Sequence, residues 1–124
     1  MKKLTDIEKA VRQILLSLGF SFKMQHKIGN YPVDFYIPKY KLTIQTDGCF
    51  FHSAKCSCFK AKKIYPRQIF QQRRDKACIA YHKYHKINII RLRGCEILES
   101  PEHIVKTILS TIERIKDGDS IYGE

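Results

Sequence analysis

Lys41-Leu42-Thr43-Ile44-Gln45-Thr46-Asp47-Gly48-Cys49-Phe50-Phe51-His52-Ser53-Ala54-Lys55-Cys56-Ser57-Cys58 is the stretch on which the rest of the chain turns. Its first six residues alternate polar and apolar side chains, the period of a β-strand. The twelve that follow gather a carboxylate, an imidazole and three thiols around Gly48, which permits a sharp turn. Reactive groups set just after a strand have the arrangement of a functional site, because the strand fixes what the loop presents. The stretch predicts a catalytic end at Asp47 and His52 and a metal-holding end at the cysteines.

Upstream, Thr5-Asp6-Ile7-Glu8 is an S/T-x-x-E capping box and predicts a helix start. Ile7, Val11, Ile14, Leu15 and Leu18 recur at helical spacing until Gly19 ends the run. Phe20, Phe22 and Met24 alternate with polar residues as strand one, and Gly29-Asn30 supplies turn chemistry. Val33, Phe35 and Ile37 alternate with Asp34 and Tyr36 as strand two. Short links between the three strands predict an antiparallel meander.

Downstream, residues 53–66 show no period and predict a loop. A helix is expected from about Arg67 to Lys86, with Phe70, Ala77, Tyr81 and Tyr84 as its apolar stripe. Ile87–Leu92 is a strand apolar enough to be central. Ser100-Pro101 opens a last helix whose stripe is Ile104, Ile108, Ile112 and Ile115. The order αβββαβα predicts an α/β domain with a mixed four-stranded sheet flanked by helices. Residues 1–118 form that single domain, and residues 119–124 are expected to fray.

The chain has 124 residues, is 44% hydrophobic and carries a formal charge of +11, with 23 Lys and Arg against 12 Asp and Glu. The excess lies between Lys55 and Arg93, interleaved with Tyr and His, which suits a polyanion backbone. No apolar run approaches the ~20 residues that span a bilayer, and no long helix pairs a basic with an aromatic face. Met1-Lys2-Lys3 followed by Asp6 and Glu8 is not a secretory signal, so a cytoplasmic, nucleoid-associated protein is expected. Five Cys, an odd number, argue against a disulfide scaffold, and no C-x-x-C opens a helix as in thiol redox proteins. Cys78 sits in a helical pattern as a small buried residue, leaving Cys49, Cys56, Cys58 and Cys95.

Asp34 on strand two and Asp47 at the end of strand three are carboxylates on neighbouring strands, which can meet at roughly 5 Å. Oxygen donors so placed suit Mg²⁺, which activates water and offsets phosphate charge. His52 is placed to move the proton, its intrinsic pKa lying near neutrality. Each has a plainer reading: Asp34 as an exposed strand residue, Asp47 as turn chemistry before Gly48, His52 as a zinc ligand, and Glu8 as a cap.

The run Val33-Asp34-Phe35, then Asp47-Gly48-Cys49-Phe50-Phe51-His52, and the later Cys56 resemble the very short patch repair (Vsr-like) endonucleases and the related E-D-H-D homing endonucleases. The resemblance runs from about Glu8 to Glu96 and implies the PD-(D/E)xK nuclease core. It implies a DNA endonuclease in which Asp34 binds Mg²⁺ with the backbone oxygen of Thr46. His52 would be the general acid or base, and Glu8 would face the active site through metal-bound water. Asp47 stands where the repair enzymes carry His and suits the homing relatives; Gln45 replaces the Glu common in the wider group, with no Lys two residues on. Asp75 falls where a late acidic residue of the E-D-H-D set, or an Arg partner, is expected.

The resemblance also implies a structural zinc beside the active site. Cys49, Cys56 and Cys95 match three of its ligands; Ala54 occupies the place of the fourth, and Cys58 is the replacement. The result would be a closed tetrahedral Cys₄ site. Lys55, Lys60, Lys62, Lys63, Arg67, Arg73 and Arg74 are the expected phosphate contacts. The competing class is a zinc-stabilised DNA-binding module with a degenerate site, argued from Gln45 and the missing Lys. The small size leaves room for a protein partner that supplies specificity, and the sequence sets no oligomeric state.

Overall fold

A computed structural model describes residues 4–47 and 66–123, apart from the side chains of residues 66–68 and 71. Thr5 caps α1 (Asp6–Ser17) through a complete capping box, as the first residues predict. β1 (Lys23–Ile28) and β2 (Tyr31–Ile37) pair antiparallel around Gly29-Asn30. Gly29 takes φ +62° at the first turn position, where a two-residue hairpin needs a residue free of Cβ strain. A single 3₁₀ turn (Pro38–Tyr40) leads into β3 (Leu42–Asp47), antiparallel to β2. After α2 (Pro66–Tyr84), β4 (Asn88–Arg93) runs parallel to β3, then a short α3 (Gly94–Glu99) and α4 (Pro101–Lys116) complete the chain.

The sheet order is β1-β2-β3-β4, the mixed four-stranded sheet that the element order predicts. One face packs Phe35, Ile37, Leu42, Ile44, Ile90 and Leu92 under Val11 and Leu15 of α1, Ile97 of α3 and the Ile104, Ile108, Ile112 stripe of α4. The other face, with Val33 and Ile89, lies under Cys78 of α2. Helices on both faces follow from strands that carry apolar residues in both directions.

Four local expectations are corrected. The first strand lies three residues later than the Phe20–Gln25 alternation suggests. Phe20 and Phe22 still reach the core, edge to face with Tyr40 and Phe35. The apolar stripe of α2 is not as expected: Phe70 and Tyr84 are 67% and 83% exposed, and the buried face is Cys78 and His82, with Ile79 and Tyr81 packed beside them. On that face His82 Nε2 lies 2.9 Å from Thr43 Oγ1. α3 follows β4 directly, a short helix that the expected order αβββαβα lacks.

Finally, β4 ends the order of strands, and the expected frayed tail covers its outer edge. Ile89 N donates to Ile121 O (2.9 Å), Gly123 N to Ile89 O (2.7 Å), and Ile121 N to the Asn88 side chain (2.9 Å). Ile121 is buried, so the tail completes the sheet's apolar cover.

Candidate active site

One row across the sheet carries polar side chains where its neighbours are apolar. Met24↔Phe35 and His26↔Val33 bracket Gln25 of β1 against Asp34 of β2, and Gln45 of β3 pairs with Arg91 of β4. The β2–β3 ladder stops at Phe35↔Ile44. Past that point side chains take over the pairing: Asp34 N donates to Gln45 Oε1 at 2.8 Å, and Thr46 N and Oγ1 both donate to Asp34 Oδ2 at 2.8 Å. The exchange fixes the Asp34 carboxylate at the mouth of the two strands, half-buried.

Glu8 joins this row from α1. It is 3% exposed; Oε1 accepts from Thr5 N and Oγ1 (3.3 and 3.0 Å), and Oε2 accepts from Gln25 Nε2 at 3.0 Å. Gln25 reaches it from a left-handed backbone, φ +51°. One Glu8 oxygen thus serves the cap and the other holds Gln25.

Asp47 accepts from Arg91 Nε at 2.7 Å, and Asp75 of α2 accepts from Arg91 Nη2 at 2.7 Å. Burial alone would lower the Arg91 pKa, but the Asp47 bond and charge, and then those of Asp75, outweigh it and raise the value. Arg91 is a residue that the sequence reading passes over. Its signal is an Arg inside the apolar run Ile89-Ile90-Arg91-Leu92, which has to find a carboxylate. Gln25 carries no comparable signal.

Cys95 lies in the first turn of α3, half-buried. Gly94 before it sits so close to the end of β3 that a Cβ would lie 3.3 Å from Asp47 O and would collide with Ile7. Cys78 is buried, and its thiol is pushed up to about 11 by that burial first and by Asp75, against Arg91 and Arg74; it is a packing residue. Arg73 and Arg74 are exposed on α2. His52, Cys49, Cys56, Cys58, Lys55, Lys60, Lys62 and Lys63 lie outside the described residues, as does the Arg67 side chain. Among the described residues no three His, Cys, Asp or Glu side chains gather into a metal-binding group.

Residues 1–58 match the family of the DNA mismatch endonuclease Vsr. The structure is similar to the catalytic domain of the homing endonuclease I-Bth0305I, with a TM-score of 0.59 and 18% identity, over 90% of this chain and 94% of that one. The first 58 residues are thus similar to the Vsr family, and the chain shares the fold of that catalytic domain. No curated protein matches its sequence. The mixed sheet and its flanking helices are the fold of that catalytic domain, and the polar row lies within it. No helix among the described residues is long and apolar enough to cross a membrane.

Proposed function

We propose that this chain is a Vsr-like DNA endonuclease, which hydrolyses a phosphodiester bond with a divalent metal, Mg²⁺, held by the Asp34 carboxylate and the Thr46 carbonyl. The observation that supports it most is the Asp34 carboxylate, fixed by two Thr46 donors at the mouth of the β2–β3 ladder. A carboxylate and a peptide carbonyl are hard oxygen donors of the kind Mg²⁺ takes, with water and phosphate completing its shell. When bound, the ion supplies an acidified water and offsets phosphate charge. Glu8, tied through Gln25 to the row, orders water beside Asp34, and His52 moves the proton at the leaving or attacking oxygen.

Cys49, Cys56, Cys58 and Cys95 are proposed as a structural Zn²⁺ site. The position of Cys95 supports this: Asp47 pairs in parallel register with Arg93, so Cys49 and Cys95 each follow two residues beyond the same rung. Arg73 and Arg74, with Lys55, Lys60, Lys62, Lys63 and Arg67, are proposed to contact DNA phosphates. A cytoplasmic, nucleoid-associated location and a protein partner that supplies specificity belong to the same reading.

The test is nicking of supercoiled plasmid with Mg²⁺ by the wild type beside Asp34→Ala and His52→Ala. Cleavage by the wild type alone supports the enzyme. One observation favours the competing reading, a zinc-stabilised DNA-binding module: Gln45, at the usual acidic position, uses its carbonyl on the Asp34 amide. Equal DNA binding by all three proteins, without cleavage on plain, mismatched or branched duplexes, would establish that module.

A further inference from the structure

We propose that Arg91 is a positioning residue of this active site, holding Asp47 through Nε and Asp75 through Nη2 so that Asp34 is left as the carboxylate that faces the metal. The inference rests on the metal reading above and assigns a role to a residue outside it. Arg91 interrupts a buried strand between Ile90 and Leu92 and stands opposite Gln45, whose carbonyl holds the Asp34 amide. Two different nitrogens of one planar guanidinium make 2.7 Å bonds to carboxylates from β3 and α2. A guanidinium presents these donors in a fixed fork and stays charged throughout the working pH range, which an ammonium on a flexible stem does not match.

Among the described residues one guanidinium joins carboxylates from two elements, and taking such charges out of water is costly enough that stability alone does not explain it. Its location does. Asp47 is the next residue after Thr46, whose amide and hydroxyl hold Asp34. A carboxylate one residue from the proposed metal ligands competes for the ion unless something else orients it. The bond to Asp75 also sets the α2 turn that bears Arg73 and Arg74 against the carboxyl end of β3, so the same side chain places the phosphate-binding cations relative to the site.

The experiment measures Mn²⁺ binding to the DNA-free full chain by the loss of the free-ion electron paramagnetic resonance signal. Asp34→Asn should abolish binding. Arg91→Gln should bind Mn²⁺ about tenfold tighter or take up a second ion, the order expected when a cation close to a divalent ion's site is removed. The triple variant Arg91→Gln, Asp47→Asn, Asp75→Asn should return to wild-type affinity, because it removes the released carboxylates as well. A folded Arg91→Gln protein with wild-type affinity and stoichiometry overturns the proposal. Should Arg91→Gln not fold, Asp47→Asn with Arg91 intact decides: a loss as large as that of Asp34→Asn overturns it, and a smaller one supports it. Binding that survives Asp34→Asn overturns the metal assignment itself and the Arg91 role with it, a result separate from the failure of Arg91→Gln alone.

Discussion

Asp34 is held by the strand next to it: Thr46 gives its carboxylate two donors, and Gln45 takes its amide. Two bonds on one carboxylate oxygen and a third on the backbone amide leave the side chain little rotational freedom, as the proposed metal ligand requires. Thr46→Val keeps the backbone donor and carbonyl but removes the hydroxyl bond to a charged oxygen. Chemical denaturation should show a loss of about 1–2 kcal/mol. Plasmid nicking should fall by about tenfold, since a looser carboxylate costs geometry rather than charge. Cys95→Ser is a second test at this scale: elemental analysis should show zinc lost, with a lower melting temperature, and unchanged zinc content would rule Cys95 out as a ligand.

At the scale of elements, α2 docks on the sheet through a polar contact. His82 Nδ1 donates to Cys78 O at 2.8 Å, so its Nε2 accepts from the Thr43 hydroxyl, which fixes a neutral imidazole in a fully buried place. Burial lowers its pKa, against the Cys78 carbonyl bond that raises it. The sign follows: the unfolded chain, near 6.5, takes up this proton before the folded one. Stability is therefore full above about pH 6.5 and is lost as pH falls through that value toward the lower folded-state pKa. Melting temperatures from pH 8 to 5 should show the decline, and His82→Leu should flatten it. The tail is the other element-scale test. Deleting residues 119–124 exposes the β4 edge and removes buried Ile121, and should cost about 2–4 kcal/mol by denaturation.

For the whole molecule, charge and fold divide the work. A net charge of +11 sets a field that draws a polyanion from any direction, while the sheet fixes the site proposed to act on it. Exposed Arg73 and Arg74 should each add close to one unit to the slope of log affinity against log salt. Replacing both by Ala should lower that slope by about 2 and weaken binding alike on all duplexes, with the melting temperature unchanged. A change in sequence preference instead would show that these residues read bases.

The sequence alone determined the order of elements, the mixed sheet and the capping box of Thr5 and Glu8, and it offered Asp34 as a candidate. All of these are short-range patterns of period, cap and spacing that a linear chain displays. Tertiary structure decided what depends on strands meeting. It put Gln25, Asp34, Gln45 and Arg91 in one row, gave Asp47 and Asp75 a shared cation, turned His82 inward to Thr43 and laid the tail on β4. The physical reason is that the worth of a polar side chain depends on its partner, and Arg91 finds its carboxylates 44 and 16 residues away along the chain.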